Sequence, residues 1–120
     1  MESRELVREI ELDAPADDVW GLVSDPDELA GWVGEEVRGA RFAQPADAER
    51  RQVRWSWAPD GVPSEVELTL TDAGARTLVR VVERPSVPTA LACRCATERW
   101  DGALVVLELW ALGVAAAVRA

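Results

Sequence analysis

Apolar and polar positions alternate in blocks along the first two thirds of the chain, and the blocks predict an ordered set of elements. Residues 5–12 (ELVREIEL) alternate with period two and predict a first strand. Asp13 stands as an N-cap, with Pro15 in the first turn of a helix whose buried stripe is Val19, Trp20 and Val23. Asp17 and Asp18 fall in that first turn, where negative charge complements the helix dipole. Ser24-Asp25-Pro26 ends this helix and caps a second short one over 26–32, closing at Trp32. A weak strand is predicted near 35–42, and Pro45 to Asp47 reads as a turn.

Three clearer strands follow, near 49–58, 64–71 and 76–83. Val53, Trp55 and Trp57 point one way while Arg54 and Ser56 point the other. Val66, Leu68 and Leu70 then oppose Glu65, Glu67 and Thr69. Asp72, Ala73 and Gly74 supply a turn, after which Thr77, Val79, Val81 and Glu83 continue the inner face. Pro85 and Pro88 end the sheet, and a long helix near 97–119 closes the chain. At 100° per residue, Trp100, Ala103, Leu104, Leu107, Ala111, Val114 and Val118 share the face that meets the sheet. Val105, Val106, Leu109 and Leu112 lie on the far side, with Trp110 on a flank. An apolar outer face requires a cover, and the expectation is a homodimer through those four residues.

Composition narrows the function classes. A chain of 120 residues fits one domain spanning 1–120, and 48% hydrophobic with 29% charged residues makes it globular. A net charge of −9 argues against nucleic acid and anionic lipid, because either would set phosphate against an already negative surface. All 13 cationic residues are Arg, a mark of GC-rich bacterial coding rather than of mechanism. No signal-like segment opens the chain and no apolar run reaches the ~20 residues of a membrane span, so the expected location is the cytoplasm. There is no His, which removes imidazole catalysis. Cys93 and Cys95 alone do not complete a metal shell, and with one residue between them they read as free thiols. No metal or nucleotide motif occurs, so no cofactor is expected.

The order strand, two short helices, antiparallel strands and long helix carries a resemblance. Ile10, Leu12, Ala14, Pro15, Val19 and Trp20, followed by Asp25, Pro26, Leu29 and Trp32, resemble the opening of the START/polyketide-cyclase (SRPBCC) superfamily. Within it, the branch of heat-shock-ATPase-activator homologues is the most similar. Trp57, Ser64, Val66, Leu68, Leu70, Thr77, Val79, Val81 and Glu83 continue the pattern, and Trp100, Leu104 and Leu107 complete it. The resemblance implies an α+β helix-grip fold, a curved antiparallel sheet wrapped on the C-terminal helix with a cavity between them. The stretch from Trp32 to Trp55 is short for that family. It leaves about five strands where the family pattern has about seven, and so a smaller cavity or one open on a side.

The expected cavity wall is Trp32, Trp55, Trp57, Leu68, Val79, Val81, Trp100, Leu104 and Leu107. Each residue also reads as plain core, and Trp20 reads as core above all. Glu83 on the inner face is the candidate catalytic group; a buried structural acid paired with inward-facing Arg8 is the alternative. Arg94 between the two cysteines would favour a thiolate, while packing of the thiols as small apolar residues ahead of the helix is the simpler reading. The leading function is binding of a hydrophobic, aromatic or polyketide-like small molecule. Two alternatives stand beside it: a cyclase or aromatase acting on such a ligand, and a cochaperone-like interaction module.

Overall fold

The computed structural model describes residues 5–42, 47–59, 61–87 and 89–119, with the side chains of the closing helix described as far as Gly113. Pro45 and Ala46 of the expected turn, Pro88, and the side chains of Val114 and Val118 lie outside the described residues. Five strands form one antiparallel sheet: β1 (Leu6–Leu12), β2 (Arg41–Phe42), β3 (Gln52–Trp57), β4 (Ser64–Ala73) and β5 (Arg76–Pro85), in the order β1-β5-β4-β3-β2. Helices α1 (Ala16–Ser24) and α2 (Pro26–Trp32) follow β1, and α3 (Ala90–Arg119) closes the chain. This is the expected α+β helix-grip arrangement with five strands.

Alternation in the sequence translates directly into burial. Val53, Trp55 and Trp57 of β3 are buried, as are Val66, Leu68 and Leu70 of β4 and Thr77, Val79 and Val81 of β5. The β4–β5 hairpin turns on two residues, since Ala73 still pairs with Arg76. Gly74 takes φ +78° there, a left-handed value that costs a side chain-bearing residue more than glycine, and Asp72 Oδ1 accepts from its N–H at 3.0 Å. Thr77 at the start of β5 is fully buried and donates to the Ala14 carbonyl at 2.7 Å, tying the hairpin to the β1–α1 junction.

Local chemistry corrects four expectations. Pro15, not Asp13, occupies the N-cap of α1, with extended backbone and no side-chain cap. Asp25 does cap α2, its carboxylate accepting from Asp27 N–H at 2.9 Å. The expected strand over 35–42 is a 3-10 helix, Glu35–Gly39, that leaves only the two residues of β2 to pair with β3. The closing helix starts at Ala90, seven residues ahead of the expected 97: Thr89 Oγ1 accepts from Ala92 N–H at 3.0 Å and Cys93 N–H reaches the Thr89 carbonyl. Cys93 and Cys95 therefore sit within α3 rather than ahead of it. Val106 is half-buried against the core, so the outer stripe of α3 reduces to Val105, Leu109 and Leu112, 56%, 63% and 46% exposed. Trp110 lies on the flank as expected, its ring over Gly31 of α2, where a Cβ would meet it at 2.5 Å.

Candidate functional site

Between the sheet and α3 the space is occupied by indoles. Trp55 stands 5.8 Å from Trp57 and 6.3 Å from Trp100, centroid to centroid, and Trp32 meets Trp100 edge-on at 6.3 Å. Phe42 from the short β2 stacks on Trp55 at 5.7 Å. Offset and edge-on arrangements of this kind gain aromatic quadrupole attraction in addition to burial. All nine expected wall residues lie in this core: Trp32, Trp55, Trp57 and Trp100 with Leu68, Val79, Val81, Leu104 and Leu107. Trp32 is anchored through Nε1 to the Leu22 carbonyl at 2.9 Å. Trp20, in contrast, is half-buried, with the Arg51 guanidinium 5.8 Å over its ring.

The end of the sheet nearest the start of α3 is built differently. Period two carries Glu83 inward on β5, and the pairing of Trp57 with Ser64 and of Val66 with Glu83 places the ends of β3, β4 and β5 side by side. Glu83 is 1% exposed. Its Oε1 accepts from Arg99 Nη2 and from Trp100 Nε1, both at 2.8 Å. Its Oε2 accepts from Trp57 Nε1 at 2.8 Å and from the Ser64 hydroxyl. An ionised carboxylate offers about four acceptor positions, and here four donors use them. The Arg99 guanidinium also lies 5.1 Å over the Trp57 ring. The charge partner of Glu83 is thus Arg99 and not Arg8, which sits nearer the sheet edge on β1 and donates to Asp101 on α3 at 2.9 Å. One carboxylate joins three strands to the helix.

Beside this anchor lies a cavity of about 120 Å³, open to solvent. Ala92, Cys95, Ala96 and Arg99 face it from α3, at the i, i+3, i+4, i+7 spacing of one helical face. Ser64, Glu83 and Pro85 close it from the sheet, and Pro59 and Val62 from the loop between β3 and β4. Of the expected wall residues and the catalytic candidate, Glu83 alone lines it. Cys95, a thiolate candidate in the sequence, lines it too, while Ser64 and Arg99 are functional candidates that the pattern does not single out. The small residues at 92, 95 and 96 are the available signal, but Pro85 and Pro88 mark that segment as a connection. Both cysteines are free thiols, and no helix among the described residues is long and apolar enough to cross a membrane.

Against known proteins, residues 3–119 match the family described as polyketide cyclase / dehydrase and lipid transport. The chain belongs to this family. Membership carries the START/SRPBCC superfamily reading and does not reach the heat-shock-ATPase-activator branch. Among curated proteins none matches. A START superfamily protein from Mycobacterium smegmatis is 17% identical with a TM-score of 0.72, covering 92% of this chain and 98% of its own. CalU16 from Micromonospora echinospora is 24% identical with a TM-score of 0.76, covering 92% of this chain and 66% of its own. The di-domain ARO/CYC BexL from the BE-7585A biosynthetic pathway is 16% identical with a TM-score of 0.72, covering 88% of this chain and 45% of its own. At these identities the structures share the fold of this polyketide-cyclase family member.

Proposed function

We propose that the protein binds a hydrophobic, aromatic or polyketide-like small molecule, part of which enters the cavity between the sheet end and the start of α3. The observation that carries this reading is an apolar-walled cavity with Ser64 and Arg99 in its wall, beside a core otherwise filled by side chains. Apolar walls with a few polar groups that set orientation are the general form of a small-molecule site. Membership of a polyketide cyclase and lipid transport family supports the same class of ligand. Glu83 serves as an anchor that holds Arg99, since a general base needs an acceptor position open to substrate and its four are used. The cyclase alternative therefore requires a proton acceptor other than Glu83.

The test is saturable quenching of tryptophan fluorescence by single-ring aromatic compounds, with Arg99 lying over the Trp57 ring as the link between cavity and reporter. Ala92→Phe fills the cavity from α3 and is expected to abolish the effect in a folded protein. Unchanged quenching in that variant removes the cavity from the reading.

The reading includes a homodimer. Val105, Leu109 and Leu112 are exposed at i, i+4, i+7 along α3, and Gly102 extends the stripe by three residues. A 3-4 spacing of this kind suits a second copy of the same helix across a two-fold axis.

A further inference from the structure

We infer that the ligand presents a single ring to the cavity and a positively charged group to its mouth. This rests on the binding reading above and adds a size and a charge. A space of about 120 Å³ is smaller than the ~300–1,000 Å³ of pockets that engulf a drug-sized ligand. It is closer to the roughly 150 Å³ of an engineered cavity that takes up benzene. One six-membered ring fits, and any further ring stays outside.

The charge follows from what surrounds the opening. Inside, Arg99 and Glu83 form a 2.8 Å ion pair, so the described residues of the inner wall carry no net charge. Outside, the cavity adjoins a depression that shares Pro59, Cys95 and Arg99 with it and adds Glu36 and Glu98. Both carboxylates are exposed, and neither makes an ion pair among the described residues. The part of a ligand that emerges from the cavity therefore meets two negative charges, on a chain whose net charge is −9. A carboxylate or phosphate at that position is repelled and an amine is attracted. The apolar cavity supplies the ring site, and the carboxylates select what the ring carries.

The experiment uses the full chain with Cys93→Ser, so that alkylation by N-ethylmaleimide reports Cys95 in the cavity wall alone. Protection is titrated at low ionic strength with benzylamine, benzyl alcohol, benzoate and 1-naphthylmethylamine. The expected order is benzylamine, then benzyl alcohol, then benzoate, with roughly tenfold between the first and the last, two weak attractions exchanged for two weak repulsions at exposed carboxylates. 1-Naphthylmethylamine gains nothing over benzylamine. Glu36→Gln with Glu98→Gln, both at exposed positions, brings the amine and the carboxylate to within about twofold of each other. Equal protection by all three charge types, or stronger protection by benzoate, overturns the charge assignment while leaving the cavity as a binding site. A tenfold gain from the second ring overturns the size limit. Protection by no probe overturns this inference and the binding reading together.

Discussion

Two regions of the sheet–helix interface solve the same packing problem in opposite ways. In the middle, four tryptophans and the half-buried Phe42 fill the gap between sheet and helix, and none of the four indoles is more than 6% exposed. At the start of α3 three of the facing residues are the small Ala92, Cys95 and Ala96, and a gap stays open beside them. Glu83 stands at the boundary. Its four hydrogen bonds fix two indoles of the filled half and orient Arg99 and Ser64 in the wall of the open half. Volume decides which half is core, and one buried carboxylate decides where core stops.

The largest effect is expected at that boundary. Glu83→Ala removes the 2.8 Å carboxylate from the 15%-exposed Arg99 side chain and takes the acceptor from two indoles and Ser64. Removing one member of a buried ion pair costs about 3–5 kcal/mol, a large part of the roughly 5–15 kcal/mol that stabilises a domain. Urea unfolding measures this, and a loss below about 1 kcal/mol would mean that the anchor does not hold the two halves together.

A paired substitution then separates packing from hydrogen bonding within the filled half. Trp100 donates to Glu83, whereas Trp55 Nε1 is buried with no hydrogen-bond partner among the described residues. Both lose similar ring volume on replacement by Phe, but only Trp100→Phe also loses a bond to a charged acceptor. Trp100→Phe is expected to cost about 1.5–3 kcal/mol more than Trp55→Phe by the same unfolding assay. Equal costs would show that volume alone matters at these positions.

Adding volume gives the complementary contrast. Ala103 is 5% exposed in the packed half, so Ala103→Phe is overpacked and should cost about 1–3 kcal/mol. Ala92→Phe has the cavity to enter and should stay within about 1 kcal/mol of the parent, mostly lost helix propensity. A reversed order in thermal melts would place the open space elsewhere.

The smallest change in fold stability is expected on the outer face of α3. Leu109 is 63% exposed, so Leu109→Glu should alter monomer stability by no more than about 0.5 kcal/mol. Its readout is assembly: sedimentation is expected to give a dimer for the parent and a monomer for the variant. A parent that sediments as a monomer at high micromolar concentration ends the dimer reading.

Local pattern made most of the fold legible, because strand alternation and proline punctuation are short-range. The inward register of Glu83 followed from the period of β5 alone, and the cap at Asp25 from three consecutive residues. The start of α3 was harder to see. Thr89 is a good N-cap, but Pro85 and Pro88 before it favour a connection, and the helix gains its place by packing Ala96 and Trp100 against the sheet.

What the sequence determined by itself is the order of the four longer strands and the α-helices, the face each of those strands buries and the family to which the chain belongs. These are properties of periodicity and motif, which a chain carries before it folds. Only the tertiary structure decided that the tryptophans fill the space they were expected to line, that Glu83 pairs with Arg99 rather than Arg8, and that the opening lies beside small residues of α3. Whether facing side chains meet or leave a gap depends on the distance between sheet and helix, and which guanidinium reaches a carboxylate depends on how strands and helix are juxtaposed. Both are set by packing between elements far apart in the chain, and no local pattern encodes them.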